Sequence, residues 1–256
     1  MEILLLILVG FGASWLTFYC GFGLGTLLTP VFLLLFKDPI VAMACTAIVH
    51  FLNNVFKFLM MKREVDWKIA LPFALAAIPA AFLGAYLSTF ITTVELTEYS
   101  FMGKTFEIDL FNLVFGIILI IFALIEIVPS WSIAFSKQKL WMGGLISGFF
   151  GGLSGHQGAL RSAFLIKYQL KKEVFIATGI IVALAVDLVR TPIYLSQFNF
   201  EQLGDGWIYI LVALSAALLG AISGKMFLKK MKMKLINWLV STAMILFGVA
   251  LILGFI

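Results

Sequence analysis

Ten apolar runs, at 3–20, 22–36, 40–61, 67–92, 109–129, 138–155, 157–170, 173–195, 206–228 and 235–256, occupy almost the whole chain, and no polar stretch between them exceeds about 18 residues. Such stretches are too short to form a separate domain, so any function has to reside among the apolar segments. A helix needs about 20 residues to cross a bilayer. Six runs reach that length, whereas 22–36 and 157–170 fall short, which gives six to ten spans. With 62% hydrophobic and 12% charged residues, the chain carries about half the charge of an ordinary soluble domain. The expected fold class is therefore all-α: a polytopic integral membrane protein. Met1 and Glu2 lead directly into an apolar run with no Lys or Arg before Lys37, so the first span is expected to stay rather than be cleaved as a signal peptide.

The two short runs follow glycine-rich breaks, GFGLGTLLTP at Gly21 to Pro30 and GFFGGLSGHQGALRS at Gly148 to Ser162. Overlaid at a constant offset of 133 residues, Gly25 meets Gly158, Leu27 meets Leu160, Thr29 meets Ser162, Ala44 meets Ala177, Asn54 meets Asp187 and Lys57 meets Arg190. At offsets of 136 and 125, Leu83, Gly84 and Ala85 match Leu219, Gly220 and Ala221, and Ile121 and Phe122 correspond to Leu246 and Phe247. The chain reads as one design used twice, with residues 1–130 and 131–256 as two repeats of a single transmembrane unit. Each break is expected to form a broken or re-entrant helical hairpin, its short run either returning at part depth or crossing steeply in a thinned region, since irregular backbone at membrane depth survives only where protein or water satisfies it.

Charge sets the orientation. Lys and Arg concentrate on the cytoplasmic side of short loops. Residues 62–68 carry three basic residues and 225–234 carry five, whereas 92–109 has only Lys104 and 195–206 has none. Threading the chain through these points puts both termini outside and places 13 of the 18 basic residues, including Lys137, Lys139, Lys167, Lys171 and Lys172, at cytoplasmic ends. The first half then begins outside and ends inside, and the second half does the reverse. Inverted repeats with broken helices are a recurrent secondary-transporter plan, with substrate bound near the midplane.

The glycine break ending in Thr29-Pro30, the small-residue segment Ala42 to Thr46, the loop Lys62-Arg63-Glu64-Val65-Asp66-Trp67 and the repetition after Gly148 together resemble the TauE/SafE family of membrane anion exporters, over essentially the whole chain. The resemblance implies export of sulfite or small organosulfonates across a bacterial inner membrane. The second half departs from the family's pattern: Ser154-Gly155-His156-Gln157-Gly158 replaces a run of glycines, and Arg161-Ser162-Ala163 stands where a proline is usual.

The residues themselves favour an anion. A helix that restarts after a glycine break presents unpaired N–H groups and the positive end of its dipole. Two such starts, near Leu24 and Gly158, would face each other; the alternative is that Gly23, Gly25 and Gly158 only permit close packing. Ionisable groups within spans are costly and hence informative. Arg161 in the first turn after the second break, with His156 and Gln157 in the break, leads the ligand candidates, because a guanidinium matches sulfonate or carboxylate oxygens bidentately. Arg161 is equally open to neutralisation by Asp187. Asp187 and Arg190, three apart, can pair on one helix face. Lys57 is placed to meet substrate or to snorkel to a cytoplasmic end. His50, close to the face that carries Asn54 and Lys57, is suited either to a coupling proton or to a structural hydrogen bond. Thr29, Thr46 and Ser162 offer hydroxyls to an anion or to their own helix.

An enzyme is not expected. No nucleophile elbow, P-loop or HExxH is present, two histidines are too few for a metal cluster, and Cys20 and Cys45 lack the spacing of a metal site or disulfide framework. No cofactor or metal is expected, and orientation accounts for the net charge of +5 without nucleic acid. The expected function is export of a small inorganic or organic anion by alternating access at a midplane site, with the lipid bilayer as surroundings and a homo-oligomer open. The alternatives are an anion channel or importer and, from another class, a structural or assembly factor whose polar groups only hold helices together.

Overall fold

The computed structural model describes residues 1–20, 23–91, 94–101, 104–127, 140–165, 168–197, 203–227 and 233–255. Lys137, Lys139, Lys167, Lys229, Lys230 and Lys232, on which part of the orientation rests, lie outside them. Among the described residues the apolar runs become α1 (Glu2–Cys20), α2 (Leu24–Phe36), α3 (Pro39–Met61), α4 (Trp67–Ile91), α5 (Leu110–Ile127), α6 (Leu140–Ser154), α7 (Gly158–Leu165), α8 (Lys172–Ser196), α9 (Trp207–Phe227) and α10 (Met233–Ile252). Among the described residues, four stretches are long and apolar enough to cross a membrane: Pro39–Glu64, which is α3 with the turn after it, and α4, α8 and α9.

Local signals explain the boundaries. Lys37 closes α2 in the left-handed conformation, its N–H donating to Leu33 O, and Asp38 then caps α3 by accepting from the N–H groups of Ile40 and Val41 at 2.8 and 3.1 Å. Pro39 sits at the first helical position, where a missing N–H costs nothing. Asp66 caps α4 by accepting from the N–H of Lys68 at 3.0 Å, and its own N–H donates to Thr178 Oγ1 at 3.1 Å, so the end of the basic loop is tied to α8.

The stretch 92–109, expected as a plain outside loop, instead contains an antiparallel hairpin, β1 (Glu95–Phe101) and β2 (Lys104–Asp109). Its alternating apolar positions produce a cross-strand stack of Tyr99 on Phe106, with ring centroids 5.4 Å apart. The hairpin lies on the C-terminal end of the chain: the Tyr99 hydroxyl donates to Leu253 O at 2.7 Å and Phe106 meets Phe255 edge-on.

Glycine sets the closest helix pairs. α4 packs on α6 and α1 on α9. A Cβ added at Gly84 would fall 2.1 Å from Phe149 O, and one at Gly220 would fall 2.2 Å from Phe11 O. α5 and α10 cross at Gly116 and Gly248, each facing the other's carbonyl. Small residues allow backbones to approach this closely where lipid offers no hydrophobic drive to association. The remaining pairs place α3 against α8 at the centre, α2 beside α3 and α1, and α7 beside α8 and α6.

Candidate functional site

Both glycine breaks arrive at one place. Gly23 adopts φ 134° and Gly155 φ 81°, conformations that favour glycine, and they turn the chain from α1 into α2 and from α6 into α7. A Cβ added at Gly25 would lie 3.4 Å from Gly155 O, so the two breaks touch. Between them lies a small cavity. It is lined by Gly23 and Gly25 from the first break, His50, Asn54 and Lys57 from α3, and Gln157, Gly158, Arg161 and Ser162 from the second break.

Five other expected candidates, Thr29, Thr46, His156, Asp187 and Arg190, lie outside this lining. The Thr29 hydroxyl donates to Gly25 O at 2.9 Å, the local alternative open to it from sequence. His156 turns the other way, its ring 4.9 Å from Phe115 and 6.3 Å from Phe122 between centroids, with Nδ1 3.1 Å from Ser154 Oγ. Neighbouring residues of the turn present their side chains on opposite sides, and only Gln157 reaches the cavity.

Asp187 and Arg190 form the support beneath it. Arg190 Nε donates to Asp187 Oδ1 at 2.9 Å, Nη2 lies 2.9 Å from the same oxygen, and Nη1 donates to Gly151 O at 3.3 Å. The other carboxylate oxygen accepts from His50 Nδ1 at 2.7 Å and Asn54 Nδ2 at 3.1 Å. Asp187 is thus held by Arg190 with His50 and Asn54, and both of its oxygens carry hydrogen bonds. The pairing of Asp187 with Arg190 prevails because three residues of one helix bring the groups together without ordering any further chain. Tyr194, one turn further on, donates its hydroxyl to Gly152 O and ties α8 to α6.

His50 Nδ1 faces the carboxylate, and the other ring nitrogen, Nε2, lies 3.7 Å from the point a Cβ on Gly25 would occupy.

Lys57 does not snorkel. It is 1% exposed, with Nζ donating to Ser14 O at 3.3 Å and lying 5.2 Å above the centre of the Phe18 ring. With the Asn53 amide oriented so that each atom meets its complement, Oδ1 also accepts from Lys57 Nζ at 3.0 Å. Arg161, 6% exposed, lies along α8 at Gly179, where an added Cβ would come 3.1 Å from Nε. Gly179, Thr26 and Gly155 line the cavity and were not singled out from sequence. Gly179 carries no chemistry of its own; its signal was a lone glycine inside an otherwise regular helix, which marks a close approach by something else.

Three buried cations, Lys57, Arg161 and Arg190, thus gather with one carboxylate around two helix starts. α2 has no side-chain cap, because Gly23 has no side chain to offer its N–H groups. The arrangement can hold an anion.

The family model described as Sulfite exporter TauE/SafE matches residues 6–251. No curated protein and no solved structure matches the chain.

Proposed function

The chain belongs to the TauE/SafE family of sulfite exporters, and from that membership we propose that it moves sulfite or a short organosulfonate outward through the cavity between its two glycine breaks. One observation carries this reading: the N-termini of α2 and α7 converge on a single cavity that Arg161 also lines. Two positive dipole ends and a guanidinium hold an anion; a cation there would meet them unfavourably.

Alternating access follows from an inverted repeat, and four features support it. Matching α1 to α5 with α6 to α10 in order, the pair α4 with α6 corresponds to α9 with α1, and the pair α4 with α8 to α9 with α3. The pairs α3 with α8 and α5 with α10 correspond to themselves. Equivalent residues meet only on a two-fold axis, and the Asn54–Asp187 hydrogen bond joins residues 133 apart, the offset of the two breaks. The hairpins match as well: α2 runs from the cavity to Phe36, whose ring is 6.0 Å from that of Tyr209, and Tyr209 in turn donates to Glu2 at the start of α1. α1 thus begins where α2 ends. In the second half Leu140, at the start of α6, packs in the same cluster as Phe164 and Leu165 at the end of α7. Both are layouts of re-entrant hairpins, opening from opposite sides onto a midplane site.

The test is transport. Purified protein in liposomes should release entrapped sulfite or a two-carbon sulfonate and should not release a cation of similar size. Binding should appear as thermal stabilisation that rises as RT ln(1 + [L]/Kd). If sulfite, sulfonates, sulfate and carboxylates gave neither flux nor stabilisation, a structural role would replace transport.

Orientation has its own prediction. We place both termini and the exposed hairpin outside, in the periplasm of a bacterial inner membrane, on the Lys and Arg asymmetry. A cysteine at Thr97, in a background lacking Cys20 and Cys45, should react with an impermeant thiol reagent on intact spheroplasts. Reaction only after permeabilisation would reverse the orientation.

A further inference from the structure

We propose that Gln157 selects the transported anion for a hydroxyl group, an inference that rests on the anion site proposed above. Gln157 precedes α7, and its backbone carbonyl accepts from the Arg161 N–H at 3.0 Å, so its position is set by the head of the helix. Its side chain passes over Gly151, where an added Cβ would come within 2.8 Å of Gln157 Cβ, and this contact limits where the amide can go. The residue is 2% exposed and lines the cavity, yet neither Oε1 nor Nε2 has a hydrogen-bond partner among the described residues. A buried amide left in that state forfeits two hydrogen bonds, so the native structure needs something to complete it.

A single ligand group that accepts from Nε2 and donates to Oε1 completes both atoms. A hydroxyl does both. An ammonium only donates, a fully ionised oxyanion only accepts, and a methyl does neither. Arg161 is four residues on and lines the same cavity, so an anion held by its guanidinium brings a neighbouring oxygen to Gln157. The chemical class is a sulfur oxyanion that carries a proton or hydroxyl of its own: hydrogensulfite, or a short hydroxyalkylsulfonate.

Isethionate and n-propanesulfonate differ only in that a hydroxyl is replaced by a methyl, so the pair isolates this contact. Ligand-induced thermal stabilisation of the purified protein should give isethionate roughly tenfold or more tighter binding, because a site built for a hydroxyl rejects the analogue lacking it. Gln157→Leu should bring the two ligands close to equality, mainly by weakening isethionate; Gln157→Met serves equally if the leucine variant is not recovered. Equal binding of both ligands by the native protein would overturn the selector while leaving the anion site intact. A preference undiminished in the Gln157 variants would also overturn it. Absence of binding by both sulfonates and by sulfite would overturn the anion site and the selector together.

Discussion

Replacing Arg190 with leucine is expected to destabilise the protein by about 3 to 5 kcal/mol, the cost of breaking a buried ion pair from one side. Asp187 is 0% exposed and Arg190 2%, so neither charge has solvent to fall back on. Coulomb attraction between such groups is strong because little water screens it, but the larger effect is the stranded carboxylate. His50 and Asn54 would still donate to its other oxygen, which blunts the loss without supplying a charge. The charge-neutral Asp187→Asn should therefore restore much of the stability of Arg190→Leu while retaining oxygen for His50. Denaturation of single and double variants in detergent gives the coupling energy directly. If Arg190→Leu unfolds like the native protein, Asp187 is not held by this pair and the support beneath the cavity has been misassigned.

This support was half visible in the sequence. Asp187 and Arg190 stand three apart in an apolar run, and a local pair on one helix face could be read from spacing alone. That His50 and Asn54 close on the same carboxylate depends on how α3 crosses α8, which no local pattern encodes. The Asn54–Asp187 correspondence was present as a repeat match, but only the fold shows the two in contact. The helical runs were legible because apolar length is the dominant signal in a lipid-soluble chain. The hairpin at Glu95–Asp109 was not, since a short alternating stretch between two long spans resembles any polar connection. Lys57 was misleading for a different reason: proximity to a helix end suggested snorkelling, whereas a carbonyl, an amide and an aromatic face reachable from its position keep it inside. His156 looked like a ligand by its place in the break, and its ring settled between two phenylalanines instead.

Replacing Arg161 with glutamine should weaken anion binding by roughly 10- to 150-fold, which corresponds to about 1.5 to 3 kcal/mol for a hydrogen bond to a charged group. The protein should remain folded. Asp187 already has Arg190, His50 and Asn54 within 3.1 Å, so removing Arg161 leaves that carboxylate hydrogen-bonded and paired. Glutamine is shorter than the arginine that Gly179 makes room for, so the substitution adds no bulk there. Lysine is the discriminating replacement, because it keeps the charge and loses the planar fork. If the anion is held bidentately, Arg161→Lys should fall between native and Arg161→Gln in affinity; if charge alone attracts the anion into the cavity, it should bind like native. Both are read by titrating sulfite or isethionate against thermal stability, with the unliganded melting temperature as the control for folding. Loss of that unliganded stability in Arg161→Gln would make Arg161 a structural cation, and native transport by Arg161→Gln would remove it from the site.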